Sequence, residues 1–346
     1  MKRVIIILIL ILILPVSAHA MEFTAPQAPI EAEKYMPEEV NSFGEDLWYV
    51  IKSAISELQP SVAEAVRVSL SLVAITILTS MLQTVSGNAK YVVHIAGALS
   101  VGLLLIEPSN SLISLGVQTI NELSEYGKLL LPVMTAAMAA QGGVSTSTAL
   151  YTITALVNTL LTYGISNIIV PVMYVYIAFS IANSVFGNEM LQRFRNFANG
   201  FMTWGLKGSI YLFSGFITVT GVISGAADAS AVKAGKLIIS GTVPVVGKII
   251  SDASETILVS ASVIKSTVGI YGIIAMVAIL IGPFLQIGIQ YLILKITGAI
   301  CSVFGSDRSS TLIGDFSAMM GFLLAATGTV ILLLLISTVC FMKGVG

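Results

Sequence analysis

Long runs of apolar residues, separated by short polar stretches, dominate the chain from residue 66 onward. Such runs are typical of helices that cross a bilayer, which need about 20 mostly apolar residues. The pattern predicts an all-α, polytopic membrane protein with about six to eight crossings, depending on whether two interrupted segments also traverse. The predicted spans are 66–86, 91–106, 144–163, 165–186, 208–226, 267–294 and 316–341.

The two interrupted segments lie at 129–143 and 237–250. The first is too short to cross simply and contains Pro132, Gly142 and Gly143; the second contains Gly241, Pro244 and Gly247. In hydrocarbon, unwound backbone is tolerated only where protein or water satisfies its N–H and C=O groups. Both segments are therefore predicted to line or gate a path, or to contact a partner.

A polar-faced helix is predicted directly after the second interrupted segment. Asp252 and Glu255 have the spacing of a capping box, and their carboxylates would stabilise a helix N-terminus. Apolar residues then recur at helical spacing, while Lys265 lies on the polar side. We expect a re-entrant or interfacial elbow that feeds an amphipathic helix; the alternative is an ordinary surface loop and helix.

The N-terminus has the pattern of a signal peptide. Lys2 and Arg3 precede an apolar run at 4–14, and Ala18-His19-Ala20 supplies a small-residue cleavage site. The pattern predicts cleavage after Ala20, with an uncleaved anchor as the alternative. Residues 21–65 are predicted as an extracytoplasmic polar lead-in and an amphipathic helix, and 66–346 as the multi-span membrane domain. The expected apolar stripe of that helix is Phe43, Leu47, Val50, Ile51, Ala54, Ile55 and Leu58.

Composition supports the membrane assignment. Of 346 residues, 56% are hydrophobic and only 10% are charged, with a mean hydropathy of +0.95. Soluble domains carry about 25% charged residues. The net charge of −1 gives no reason to expect nucleic acid as a partner. Cys301 and Cys340 match no metal or redox spacing.

Candidate chemistry is sparse. His94 is the only histidine outside the predicted signal peptide, and no metalloprotease or serine-hydrolase motif is present. Asp307, Arg308 and Asp315 are interpreted as solvated charges in a connecting loop. The sequence therefore predicts no catalytic residue, metal site or cofactor. Four polar residues within spans could line a pore or act as interhelical hydrogen-bonding groups: Asn158, Asn183, Gln286 and Gln290.

Two stretches resemble a known family. Residues 241–272 contain Pro244-Val245-Val246-Gly247, Ser251-Asp252-Ala253, Glu255-Thr256 and Lys265, which resemble a shared stretch of the stage III sporulation protein AE family. Residues 129–151, with the Gly142-Gly143 pair, resemble the family's other shared region. The predicted signal peptide, length and span layout agree with the same family.

The resemblance implies a non-enzymatic subunit of a channel that links mother cell and forespore in endospore-forming bacteria. It implies a multi-pass protein of the mother-cell membrane around the forespore. Its partners would be other stage III sporulation A operon proteins, a forespore-membrane protein and the lipid bilayer, with homo-oligomerisation left open. The alternative function is a self-contained secondary transporter, which the scarcity of mid-span charges disfavours.

Overall fold

The computed structural model describes residues 25–37, 42–211, 213, 215, 246–304 and 307–343, with side chains between 246 and 265 outside that description. The described residues contain helices and no strand, which confirms the all-α prediction. The helices are α1 Ile30–Glu33, α2 Phe43–Ser56, α3 Gln59–Val85, α4 Lys90–Ala140, α5 Val144–Gly164, α6 Val170–Phe186, α7 189–211, α8 Val246–Val303 and α9 Asp307–Lys343.

Helix α4 corrects the predicted division of its region. The prediction ended one span at Glu107-Pro108 and treated 129–143 as a separate broken segment, whereas one helix of 51 residues contains both Pro108 and Pro132. An internal proline costs about 3 kcal/mol because it removes a backbone donor and crowds the preceding turn. Buried residues continue at helical spacing across both prolines, so tertiary packing offsets that cost. They include Leu105, Ile113, Ile120, Leu123, Leu130 and Met134.

The Gly142-Gly143 pair follows the end of α4. Gly142 has a φ of 93°, a conformation that favours glycine, and α5 begins at Val144. Helices α5 and α6 then form one continuous helical segment through a π-turn at Ile165–Ile169, just before Pro171. The predicted boundary between 144–163 and 165–186 is therefore a change of helical pitch.

Five helical segments of the described residues are long and apolar enough to cross a membrane: Gln59–Val85, Gly87–Ala140, Val144–Phe186, Ser266–Val303 and Arg308–Met342. This confirms a polytopic membrane protein. The number of separate helices is lower than predicted, because 91–106 and 129–143 lie in one helix and 144–163 continues into 165–186. At about 1.5 Å per residue, α4 is roughly 75 Å long, more than twice the hydrocarbon thickness of about 30 Å.

The centre of the bundle consists of α4, α8 and α9. Gly116 of α4 lies against Leu323 of α9, where a β-carbon on Gly116 would come within 2.6 Å of the leucine side chain. Gly127 meets Leu334 in the same way, at 2.8 Å. These two glycines let α4 approach α9 closely along the buried face.

The N-terminal helices pack on the outside of this bundle. Helix α2 lies where the amphipathic helix is predicted, and Val50 and Ala54 of the expected apolar stripe are buried. Phe43 and Ile55 of the same stripe are exposed. Trp48 and Tyr49 are also exposed, at 64% and 49%. Tyr35 packs against Gly282 of α8 and donates a 2.8 Å hydrogen bond to Glu57.

Candidate functional site

Three helices bring an ion pair into the interior of the protein. Arg195 Nη1 on α7 lies 2.9 Å from Asp315 Oδ2 on α9, and the two side chains are only 13% and 14% exposed. Tyr176 on α6 donates its hydroxyl to Asp315 Oδ1 over 3.2 Å. Both carboxylate oxygens are therefore engaged. A charge withdrawn from water is costly unless it is paired and hydrogen-bonded, and this network supplies both conditions.

Helical spacing explains why these side chains meet. Arg195 lies on the same face of α7 as the buried residues Ala198 and Met202, so the face that packs inward also carries the guanidinium. Asp315 lies between the buried residues Leu312 and Met319 on α9. The rings of Phe179 and Phe194 stack with centroids 5.2 Å apart and hold α6 against α7.

A cavity of about 210 Å³ opens beside this ion pair. Three helix ends form its wall: the last turns of α6, the first turns of α7 and the first turns of α9. Besides the ion pair, its lining includes Asn183, Ser184, Gly187, Gln192, Arg308 and Thr311.

Arg308 occupies the mouth of this cavity. Gly187 ends α6 with a φ of 66°, and a β-carbon there would come within 2.6 Å of the Arg308 guanidinium. His94 Nε2 lies 2.9 Å from the backbone carbonyl of Ser184 and 3.3 Å from Arg308 Nη1. The arginine therefore lies where the start of α9 meets the end of α6 and the start of α4.

The four polar residues singled out within spans have different surroundings. Asn158 is buried and donates to Ser124 Oγ of α4 over 3.1 Å, so it acts as an interhelical hydrogen-bonding group. Asn183 lines the cavity beside the ion pair. Gln286 and Gln290 line a smaller cavity of about 100 Å³ between α3, α4 and α8, which Glu64 also borders.

The predicted elbow lies largely outside the part of the chain that can be described. Gly241 and Pro244 are outside the described residues. Gly247, Asp252, Glu255 and Lys265 fall within the helical backbone of α8, in the stretch whose side chains are not described. The elbow and its role stay predictions. Of the second segment, Pro132 lies within α4, and Gly142 and Gly143 lie in the turn that follows.

Among the described residues, no group of three or more His, Cys, Asp or Glu side chains is arranged to hold a metal ion. The thiol of Cys301 is buried and the two cysteines are not bonded to each other. The prediction that the whole chain lacks catalytic and metal-binding residues stays a prediction, because residues 216–245 are not described.

The interpretation of Asp315 as a solvated loop charge was wrong, whereas Arg308 is exposed as interpreted but lies in a helix. Both residues lie in α9, which begins at Asp307, and Asp315 is paired in the interior. One signal in the sequence predicts that Asp315 lies at the edge of a buried helix face. Leu312, Phe316 and Met319 have helical spacing, and that spacing places Asp315 on the edge of the same apolar face. A carboxylate at such a position requires a partner, and Arg195 was available in the basic segment.

Long apolar helices with a few internally paired polar groups define a multi-pass, all-α membrane protein. The family model described as Stage III sporulation protein AE (spore_III_AE) matches residues 30–344, and the chain belongs to this family. This confirms the resemblance carried by the two shared stretches.

A curated relative, "Stage III sporulation protein AE" of Bacillus subtilis (strain 168), is 23% identical over 301 residues. The match covers 86% of this chain and 75% of the relative. No solved structure matches. Family membership supports a role in sporulation.

Proposed function

We propose that this chain is a non-enzymatic membrane subunit of a channel that links the mother cell and the forespore. It resides in the mother-cell membrane around the forespore and assembles with other stage III sporulation A operon proteins and a forespore-membrane protein. The observation that carries this proposal is the family membership of a chain built almost entirely from long apolar helices.

The dimensions of the helices support a role as an assembly subunit. Helices of 51 and 58 residues exceed what one crossing of a bilayer requires. The excess length can extend beyond the hydrocarbon or lie within a larger protein assembly, where neighbouring subunits satisfy polar groups. The buried ion pair and Asn158 then serve to fix the helices in one arrangement.

The first experiment is deletion of the gene in its endospore-forming host, with complementation by the intact gene. We expect loss of late forespore gene expression and of heat-resistant spores, both restored by the complementing copy. A deletion strain with normal late forespore transcription and normal spore yield would contradict the proposal.

The predicted elbow is tested in the same assay. Pro244→Ala or Asp252→Ala should lower spore yield more than Leu103→Ala, a change at a residue that is 70% exposed on α4. Immunoblotting of membranes checks that each variant accumulates. Equal, mild effects of all three substitutions would count against a special role for the elbow.

A second candidate function is a self-contained secondary transporter for a small solute. The buried Arg195–Asp315 pair favours it, because ionisable residues inside membrane domains often mark transport pathways. The purified chain in proteoliposomes would then move a solute without partners. The assembly subunit is favoured if the purified chain takes up no solute while the gene that encodes it restores sporulation to the deletion strain.

A further inference from the structure

We propose that the cavity beside the Arg195–Asp315 pair binds a phosphate group. The cavity has a volume of about 210 Å³, enough for several water molecules, and its wall combines side chains from three helices. This inference goes beyond the proposed sporulation role and does not depend on it.

The charges around the cavity do not cancel. Two guanidinium groups, Arg195 and Arg308, face one carboxylate, Asp315. The carboxylate accepts from Arg195 on one oxygen and from Tyr176 on the other, so it is committed to those two groups. Among the described side chains, Arg308 forms no salt bridge. The cavity therefore presents one uncompensated positive charge.

The guanidinium of Arg308 is exposed, so it is free to bind a ligand that enters the cavity. His94 Nε2 is closer to the Ser184 carbonyl, at 2.9 Å, than to Arg308 Nη1, at 3.3 Å. The shorter contact requires Nε2 to carry its hydrogen and donate to the carbonyl, so His94 does not accept from Arg308. A phosphate oxygen in the cavity can replace water as the acceptor of the guanidinium, and guanidinium groups bind phosphate in a bidentate manner.

Neutral donors complete the site. The amide groups of Asn183 and Gln192 line the cavity from α6 and α7. Side-chain amides can donate hydrogen bonds to phosphate oxygens beside the charge-assisted bonds of an arginine. The ligand is therefore a phosphate mono- or diester, or inorganic phosphate.

The exposed face of α7 bears on the source of such a group. Phe197, Trp204 and Tyr211 are 72%, 75% and 74% exposed on one side of this helix. Exposed aromatic residues concentrate at the headgroup level of membrane proteins. These aromatic residues lie on the face of α7 opposite Arg195, so phospholipid headgroups and soluble phosphate compounds are both tested as the source of the phosphate group.

The test uses the purified full chain in detergent, titrated with short-chain phosphatidylglycerol and, separately, with inorganic phosphate. Binding is followed by the shift in melting temperature and by native mass spectrometry. We expect Arg308→Gln to weaken binding about tenfold, the effect of losing one charge-assisted contact. Arg193→Gln is the control of the same substitution type, because Arg193 on α7 is 83% exposed and does not line the cavity.

Each outcome bears on the proposal. Saturable binding of phosphatidylglycerol alone identifies a lipid headgroup as the source, and competition by inorganic phosphate identifies a soluble phosphate compound. Equal binding by the wild type and Arg308→Gln overturns the proposal, as does binding of neither probe. If Arg308→Gln lowers the melting temperature without ligand, Gln192→Ala serves instead, since Gln192 lines the cavity without contacting His94.

Discussion

Two ion pairs in this protein have the same kinds of partner, a cation and a tyrosine on one carboxylate, and differ in their exposure to water. In each, a carboxylate accepts hydrogen bonds from one cation and one tyrosine hydroxyl. Asp315 is bound by Arg195 and Tyr176 and is 14% exposed, whereas Glu57 is bound by Lys34 and Tyr35 and is 51% exposed. Water can replace the partners of Glu57 readily, whereas it reaches Asp315 only through the cavity that Asp315 lines. The exposed pair at Glu57 therefore contributes little to stability, whereas loss of one partner from the pair at Asp315 is strongly destabilising.

The largest effect is expected from breaking the buried pair on one side. Arg195→Gln leaves the Asp315 carboxylate in the interior without its cation, a change that costs about 3–5 kcal/mol in stability. We expect a large fall in the melting temperature of the detergent-solubilised chain. Arg193→Gln, a change of the same type at an exposed position of α7, should leave the melting temperature nearly unchanged. Similar melting temperatures for both variants would show that the buried pair is dispensable.

Neutralising both partners is expected to have a smaller effect. Arg195→Gln combined with Asp315→Asn removes the uncompensated charge and retains groups that can hydrogen-bond to each other and to Tyr176. The double variant should recover more than half of the stability lost by Arg195→Gln, because the penalty arises chiefly from a lone buried charge.

Sporulation by the double variant separates the two candidate functions. If the pair only fixes the helices, the double variant should restore spore yield together with stability. A stable double variant that still fails to sporulate would indicate that the charges themselves are used, as the transporter alternative requires.

The buried pair also shows what the sequence could and could not predict. Apolar runs predicted the helical class and the membrane environment, because those follow from composition and period. The prediction interrupted the helix near Pro108 and Pro132, although the hydrophobic spacing continues through both prolines. Packing of the buried residues against α8 and α9 explains why the helix continues. Arg195 and Asp315 are 120 residues apart, and no local pattern predicts which distant charges meet. The cavity beside them depends on how three helix ends pack, which lies beyond local spacing.

Substituting the two tyrosines compares the same carboxylates by removing one neutral hydrogen-bond donor from each. Tyr176→Phe removes a donor to a carboxylate that is only 14% exposed, so we expect a loss of about 1.5–3 kcal/mol. Tyr35→Phe removes the equivalent donor from Glu57, where water can take its place, and should cost less than about 1 kcal/mol. Both substitutions retain the ring, so packing is preserved and the hydroxyl alone is tested. Melting temperatures of the two variants, measured in one detergent, give the ranking; a larger loss for Tyr35→Phe would reverse the argument.

The smallest effect is expected at Lys34. The 2.9 Å hydrogen bond from the Lys34 ammonium lowers the pKa of Glu57 below its ordinary value of 4.5, and the same bond raises the pKa of Lys34 above 10.5. The stabilisation from Glu57 is therefore present above about pH 4.5 and lost as the pH falls through its lowered pKa. The stabilisation from Lys34 is present below about pH 10.5 and lost as the pH rises through its raised pKa.

Lys34→Gln should consequently lower stability by no more than about 1 kcal/mol near pH 7, because both side chains are half exposed. The difference from wild type should shrink in 1 M salt, which screens exposed charges, and should decrease as the pH falls through the lowered pKa of Glu57, because protonation removes its negative charge. Melting temperatures of wild type and Lys34→Gln at pH 3 and pH 7, each in low and high salt, provide the measurement. An Arg195→Gln difference that persists in 1 M salt, beside a Lys34→Gln difference that disappears, would support burial as the main cause of the contrast between the two pairs.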